Sequence, residues 1–343
     1  KVLVISPINA FTAWEEDVPA CIEGESVLRL KGEISDIKKL VKKQNKFLIT
    51  NYEFVRSSTK FLEFLAEELR KTDRNYFIVL DESHRMKGQQ TAQILSYLAP
   101  LSKNKIILTG TPMPQNEADL VPQFNFLFPD EQVFDNESLI EKFKPIFVRT
   151  TKKEMNRESI TLPPIKETVK KVSMLPHQKE FYHILIDRMR LRKYDFRSRQ
   201  QIKDFKRAYM RLLQVSSNPL LQLDYISKID KKLAEKIAQE GIGSKMKQVI
   251  ADADKLANKG EKVIIWSSFP KNIKWLKIKL RHHNAVNIDG SVPSGKRDEL
   301  GTRENALHQF KTNEFCKVFI ANPMAAGEGI SLQKCCRKAL YLD

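Results

Sequence analysis

Cysteine is scarce, with four residues in a chain of 343: Cys21, Cys316, Cys335 and Cys336. None stands in CxxC spacing or beside a histidine pair, so neither a disulfide framework nor a zinc site is indicated, and the four read as free thiols in a reducing compartment. Long apolar runs are missing too: no stretch approaches the roughly 18 residues that a membrane span requires. The opening Lys1-Val2-Leu3-Val4-Ile5-Ser6-Pro7 has a short apolar run and no small-residue cleavage site, and so reads as no signal peptide. The expected location is the cytoplasm, or the nucleus if the source is eukaryotic. Internal repeats of solenoid period and low-complexity tracts are likewise lacking. What is present is a chain 41% apolar and 29% charged, a balance that suits a globular protein with a real core. Its length predicts two domains or three.

Charge of one sign dominates. Lys and Arg number 59 against 42 Asp and Glu, a net of +17, which points to an anionic partner, nucleic acid first. The excess is uneven: residues 166–247 hold 20 basic against 9 acidic side chains. In the same stretch Phe181, Ile184, Leu185, Ile202, Phe205, Tyr209, Leu212 and Leu213 fall at helical spacings, and Pro176 suits a first helical turn. Basic helices are therefore expected here. A solvated basic face gives the same pattern, and Tyr182, Tyr194 and Tyr209 read as packing residues. His177, His183, His282, His283 and His308 read as surface or structural, the His282-His283 pair being too isolated for a metal site.

On either side of this basic stretch lie short, continuous apolar runs. They are Val2 to Ile5, Phe47 to Ile49, Phe77 to Leu80, Ile106 to Leu108, Val263 to Trp266 and Val318 to Ala321, each closing on Ser, Thr, Asn or Asp. Unbroken runs of three to five apolar residues predict parallel strands buried on both faces. Helical stretches intervene, such as Ser244 to Asn258, with Ser244 placed to cap its start and Gly260 its end. The pattern is βαβ, repeated. Open parallel sheets bind ligands at the carboxyl ends of their strands, where these polar residues collect. Boundaries are expected at Pro129-Asp130, Leu162-Pro163-Pro164 and Gly241-Ile242-Gly243.

The strongest chemical signal is Phe77-Ile78-Val79-Leu80-Asp81-Glu82-Ser83-His84. A strand that delivers two adjacent carboxylates to its carboxyl end suits Mg²⁺ and an attacking water, with Asp81 holding the metal and Glu82 orienting and deprotonating the water. Thr109 follows Asp81 by 28 residues and opens Thr109-Gly110-Thr111-Pro112, a tight turn with two hydroxyls able to bond a neighbouring histidine or carboxylate. Together these elements resemble motifs II and III of superfamily-two helicases.

The wider resemblance is to the Swi/Snf-type ATPases, the DNA-translocating branch of that superfamily, and it covers nearly the whole chain. Val4-Ile5-Ser6-Pro7 with Trp14 looks like motif Ia, Ile49-Thr50-Asn51-Tyr52-Glu53 like motif Ib, and Asp81-Glu82-Ser83-His84 like the Asp-Glu-x-His box. Thr109 to Asn116 and Phe124 to Pro129 are characteristic of this family, and Val148 to Lys152, Leu162 to Pro164 and Asn218 to Leu221 resemble its inter-lobe signatures. Val263 to Phe269, Ile288 to Ser291 with Arg297, and Gly327-Glu328-Gly329-Ile330-Ser331-Leu332 look like second-lobe motifs. Thr150 stands where the family usually has a second Arg and Met324 where a basic residue is common, so those two contacts do not carry over. No Gly-x-x-x-x-Gly-Lys-Ser/Thr occurs, and Tyr341-Leu342-Asp343 stands just before the family's arginine-bearing motif is expected. The chain is thus expected to be a fragment that hydrolyses ATP poorly or not at all by itself.

The resemblance implies an α/β protein: two RecA-like parallel-sheet lobes with a basic α-helical insertion between them. The expected divisions are 1–130, a first lobe; 131–165, a linker; 166–243, the insertion; and 244–343, a second lobe. ATP and Mg²⁺ are the implied cofactors and double-stranded DNA the implied partner, with protein partners reached through flanking domains. It implies Asp81, Glu82 and His84 as catalytic, with Asp81 on the metal, and Thr109, Gly110, Thr111, Gln115, Asn116, Gly327 and Gly329 around the nucleotide. Ser6, Pro7, Thr50, Asn51, Arg149, Lys152, Ser267, Ser268, Gly290, Ser291, Arg297 and Asn322 would face DNA. The expected activity is that of an ATP-driven motor stimulated by duplex DNA that translocates on it or remodels protein–DNA complexes. The form of the 327–332 motif is similar to that of prokaryotic members, which suits DNA restriction or defence. The alternatives are a non-catalytic DNA-binding scaffold and an RNA or single-strand helicase sharing the same core.

Overall fold

A computed structural model describes the chain except for residues 72–74, 132, 134–138, 156–163, 193, 195, 296, 328, 329 and 331 and the side chains of 152 and 153. The break at Leu162-Pro163 lies outside the described residues. The chain forms two compact units, Lys1–Lys166 and Glu167–Asp343.

In the first unit the apolar runs form a five-stranded sheet, β1 (Val2–Ser6), β2 (Val27–Arg29), β3 (Phe47–Asn51), β4 (Phe77–Asp81) and β5 (Asn104–Leu108), in the order β2-β3-β1-β4-β5. Every pairing is parallel. Parallel pairing needs a crossover between strands, and helices Phe11–Cys21, Thr59–Arg70 and Gln89–Leu98 serve as such connections. Leu3, Val4 and Ile5 of the central strand are fully buried, and Phe61, Phe64, Leu65, Leu95 and Leu98 pack into the same core as Leu3 and Ile5. Each such side chain contributes about 1.5–3 kcal/mol by leaving water. Ser58 caps helix Thr59–Arg70 by accepting from the Phe61 N–H at 3.3 Å.

The second unit carries β6 (Val263–Trp266), β7 (Val286–Ile288), β8 (Val318–Ala321) and β9 (Ala339–Tyr341), all parallel, in the order β7-β8-β6-β9. This is the winding of β1 to β4 repeated, so the two sheets share one connectivity rule: out to the edge, back beside the first strand, then across to its other side. The crossing creates a switch point at the carboxyl ends of the central strands, where open parallel sheets hold their ligands.

The same unit contains the basic helices. Pro176–Leu191, Arg199–Ser217 and Lys231–Glu240 pack around Phe181, Leu185, Val215, Ile226, Leu233 and Ile237, and Pro176 does open the first of them. Arg188, Arg190, Lys203, Lys206 and Arg207 are exposed. Their helices are joined to the second sheet through a buried polar junction. Asn218 donates to Asn272 Oδ1 at 3.0 Å, Asn272 donates to Ser217 Oγ at 2.7 Å, and Ser217 donates to Asp343 Oδ2 at 3.0 Å. Asp343 also accepts from the Ser267 hydroxyl at 2.9 Å and the Ser268 N–H at 2.6 Å. Gly243 sits at this joint because nothing larger fits: a Cβ there would lie 2.9 Å from Pro219 Cδ and 3.0 Å from the Ser217 carbonyl oxygen.

Several details differ from the sequence expectation. Strands β2, β7 and β9 escaped notice because each is three residues long, at a sheet edge, and only partly buried. Strand β5 is an edge strand with Ile106 and Leu108 partly exposed, rather than one buried on both faces. Helix Ser244–Asn258 is capped by Gly243, with Ser244 already inside it, while Gly260 takes the left-handed backbone (φ +82°) just past its end. Burial pushes the Cys316 thiol up to about 11 and raises that of Cys336, as expected of structural thiols. All four cysteines are free.

Candidate active site

Strand β4 buries Ile78, Val79 and Leu80 and then releases Asp81 and Glu82 at its carboxyl end, both half-buried. Asp81 is held from two sides. The Trp14 indole N–H donates to its Oδ2 at 2.9 Å, and the Tyr52 hydroxyl donates to its backbone carbonyl at 2.7 Å. Burial, reinforced by the Asp81 charge, pushes the Tyr52 phenol well above its ordinary value, so it remains a donor.

Glu82 adopts φ 50° and ψ 51°, the left-handed region. For a residue with a Cβ this costs about 1–2 kcal/mol, so the surroundings must impose it. The next residue shows how. Ser83 is fully buried and donates to Gln123 Oε1 at 2.8 Å, while the Gln123 amide donates to the carbonyls of Pro112 at 2.8 Å and Asp119 at 2.9 Å. Gln123 therefore pins the acidic turn to the loop that follows β5. From the acidic turn, His84 Nδ1 reaches that loop, lying 3.0 Å from Thr109 Oγ1 and 3.3 Å from Thr111 Oγ1, and it lies 3.3 Å from Glu82 Oε2. The two threonines thus meet a neighbouring histidine. The Glu82 side chain is 26% exposed, which lets a water reach it.

The acceptor set fits a hard divalent cation. Carboxylates of Asp81 and Glu82 offer oxygen ligands, as Mg²⁺ prefers, and the indole N–H fixes the orientation of one of them.

Other predicted nucleotide residues are placed as follows. Gly110, Thr111, Gln115 and Asn116 are exposed in the loop after β5. The backbone N–H groups of Gln115 and Asn116 donate to Asp119 Oδ2, and the Asn116 side chain caps the 3-10 turn Glu117–Leu120. Gly327 is exposed after β8, where a side chain would meet the Pro323 carbonyl oxygen at 2.4 Å. Gly329 lies outside the described residues.

The twelve residues expected to face DNA divide into two groups. Ser6, Thr50, Ser267 and Asn322 are buried, and their side chains are engaged internally. Ser6 donates to the Pro7 carbonyl, Thr50 to the Leu30 carbonyl and Ser267 to Asp343, while Asn322 caps the turn after β8 and donates to the Ser268 carbonyl. Pro7 is buried, and Asn51 caps the helix after β3 through the Phe54 N–H. By contrast Arg149, Ser268, Gly290, Ser291 and Arg297 are exposed. The Lys152 side chain lies outside the described residues. Sequence reasoning assigned no role to Trp14, Tyr52, Gln123 or Asp343. Trp14 stood out as part of the first motif, but nothing in sequence ties Gln123 to Ser83, 40 residues away.

The chain is 25% identical to the CHD3-type chromatin-remodeling factor CHR7 of Arabidopsis thaliana over 96% of its own length and 28% of that protein's. It is 22% identical to chromodomain-helicase-DNA-binding protein 1 of Gallus gallus, covering 96% of this chain and 20% of that one. The chain therefore spans less than a third of these relatives. Among solved structures, the Sulfolobus solfataricus SWI2/SNF2 ATPase core in complex with dsDNA is 20% identical, with a TM-score of 0.39 over 100% of this chain and 71% of that one. The family model described as SNF2-related domain matches residues 1–221. With close to two thirds of its residues inside that match, the chain belongs to the SNF2-related domain family.

Proposed function

We propose that the intact protein is an ATP-hydrolysing motor that acts on double-stranded DNA, translocating on it or remodelling protein–DNA complexes. The observation that carries this reading is the joint placement of Asp81, Glu82 and His84 with Thr109 and Thr111 at neighbouring carboxyl ends of a parallel sheet. Magnesium-bound ATP, once present, supplies the phosphoanhydride and the cation that neutralises its charge. Asp81 would offer the oxygen that holds that cation, its carboxylate oriented by Trp14 and its backbone anchored by Tyr52. Glu82 orients the attacking water and takes its proton at the carboxylate. His84, shared between Glu82 and the two threonine hydroxyls, links the acidic turn to the loop after β5, so a change at one is felt at the other. The exposed Arg188, Arg190, Lys203, Lys206 and Arg207 supply counterion release on DNA, and Arg149, Ser268, Ser291 and Arg297 are likewise exposed, as contact with phosphates requires. The buried Ser6, Thr50, Ser267 and Asn322 shape the strand ends rather than meeting phosphate with their side chains. Remodelling is also what the name of the Arabidopsis relative describes, and the Gallus relative is named as a helicase and DNA-binding protein. A role in prokaryotic DNA restriction or defence rests on the 327–332 motif form.

Three measurements test the proposal. In the intact protein, Glu82→Gln retains ATP binding and loses turnover by about 10²–10⁴-fold, the usual loss for a general base; wild-type hydrolysis in this variant refutes the catalytic assignment. Stimulation by duplex DNA over single strands and RNA separates the motor from a single-strand helicase. In this chain, replacing the five exposed basic residues with Gln weakens duplex binding and flattens its salt slope by up to about 4.5, at roughly 0.9 per phosphate contact. An unchanged slope removes the helices from the DNA contact.

A further inference from the structure

His282 and His283 stand alone in sequence, but the fold gives them a partner. Asp254, on helix Ser244–Asn258, places Oδ1 3.0 Å from His282 Nε2 and 2.9 Å from His283 Nε2. The three donor atoms lie within 4.8 Å of one another. This overturns the expectation that the histidine pair is too isolated for a metal.

We propose that Asp254, His282 and His283 form a binding site for a borderline divalent metal ion of the Zn²⁺ class. Two imidazole nitrogens and one carboxylate oxygen are the donor set that such ions select, whereas Mg²⁺ and Ca²⁺ prefer oxygen alone. Zn–N and Zn–O bonds of about 2.0–2.1 Å at tetrahedral angles hold neighbouring donors roughly 3.3 Å apart. The observed 2.9 and 3.0 Å separations need open by only a few tenths of an ångström. The fourth position falls to water, because the His282 side chain is 56% exposed while that of His283 is 9% exposed.

The donors stand on fixed backbone, as a metal site requires. The turn Arg281–His283 is bonded on both sides: the His283 N–H donates to the Leu280 carbonyl at 3.0 Å, and its carbonyl accepts from the Lys317 N–H at 3.0 Å. Leu280 itself is fully buried in the second core, as is Ala253 beside Asp254. Helix Ser244–Asn258, the turn and Lys317 lead respectively into β6, β7 and β8, so the site marks the amino ends of these strands, opposite the ends where the fold holds ligands. Its role is to tie the helix before β6 to the turn before β7.

The test uses the tag-free chain stripped of metal by chelator. Calorimetric titration with Zn²⁺ should show one ion bound per chain, and Co²⁺ should give the visible absorption of a tetrahedral site. Saturation raises the thermal midpoint of the second unit by a few degrees, since a ligand bound only to the folded state stabilises it by mass action. His282→Ala, at an exposed position, should weaken Zn²⁺ binding by at least about tenfold, with Asp254→Asn behaving likewise. A Cys335→Ser, Cys336→Ser variant should bind as before. Absence of binding at about 100 µM Zn²⁺ overturns the proposal. So does affinity untouched by His282→Ala, which would place the ion on the cysteines or the acidic turn.

Discussion

Glu82 offers a measurement in which the sign of the effect carries the argument. At ordinary backbone angles Ala is more stable than Gly by about 0.5–1 kcal/mol, because Gly loses more freedom on folding. At φ 50° the Cβ of Ala instead meets the left-handed penalty of about 1–2 kcal/mol, which Gly escapes. Subtracting one from the other leaves Glu82→Gly more stable than Glu82→Ala by about 0.5–1 kcal/mol. Both variants lose the 3.3 Å contact with His84, so that loss cancels between them. The assay is urea unfolding followed by tryptophan fluorescence in a Trp266→Phe, Trp275→Phe background. That leaves Trp14, bonded to Asp81, as the sole reporter and confines the signal to the first unit. With a slope of about 2 kcal/mol per molar urea, the Gly midpoint should lie about 0.3–0.5 M above that of Ala. Ala equal to Gly or better would refute the idea that the acidic turn is held in strain, and with it the view that Gln123 and Ser83 impose the position of the carboxylate.

At the joint between the basic helices and the second sheet, Gly243→Ala should destabilise the second unit by about 1–3 kcal/mol through overpacking. Gly290→Ala, where a Cβ meets nothing within 4 Å, should stay within about 0.5 kcal/mol, and equal thermal midpoints for the two would contradict the crowding. Asp289 supplies a pH test. Burial pushes its carboxyl up, but the Ser291 hydroxyl at 2.6 Å and N–H at 2.8 Å, aided by Lys274 and Asn287, bring it below its usual 3.8. A group with a depressed folded value stabilises above its unfolded value, and that stability is lost as pH falls through the folded one. Ser291→Ala should therefore destabilise at pH 7, and the gap to wild type should close below about pH 4; a gap that persists in acid would assign the effect to packing.

Much of the architecture was legible because two-sided burial leaves a direct mark. A strand such as Val318 to Ala321, buried at every position, has to be apolar throughout, and six such runs sufficed to predict the repeated βαβ pattern. The three-residue edge strands leave no such mark: Val286-Asn287-Ile288 is short and interrupted by Asn287. The acidic turn was legible from its position after a buried strand, and the pairing of Thr109 with His84 followed from hydroxyls at the next strand end. What could not be read was which polar side chains face inward. Ser6, Thr50 and Ser267 look in sequence like any exposed strand end, yet each is fully buried and donates to an internal acceptor, the Pro7 carbonyl, the Leu30 carbonyl and the Asp343 carboxylate respectively. Tertiary partners such as Asp343 and Gln123 decide that outcome, and they lie tens of residues away. The same distance hid Asp254 from the histidine pair.

The amide–hydroxyl–carboxylate chain running from Asn218 through Asn272 and Ser217 to Asp343 has a mechanical corollary. Asn218, Asn272 and Ser217 are fully buried, where hydrogen bonds have fixed directions and few substitutes, while Asp343 closes the chain of bonds at the exposed edge of the joint. A pull on the positively charged helices is thereby delivered to the tips of β6 and β9 without slack. The helices and the second sheet are thus joined by directed bonds as well as by apolar packing.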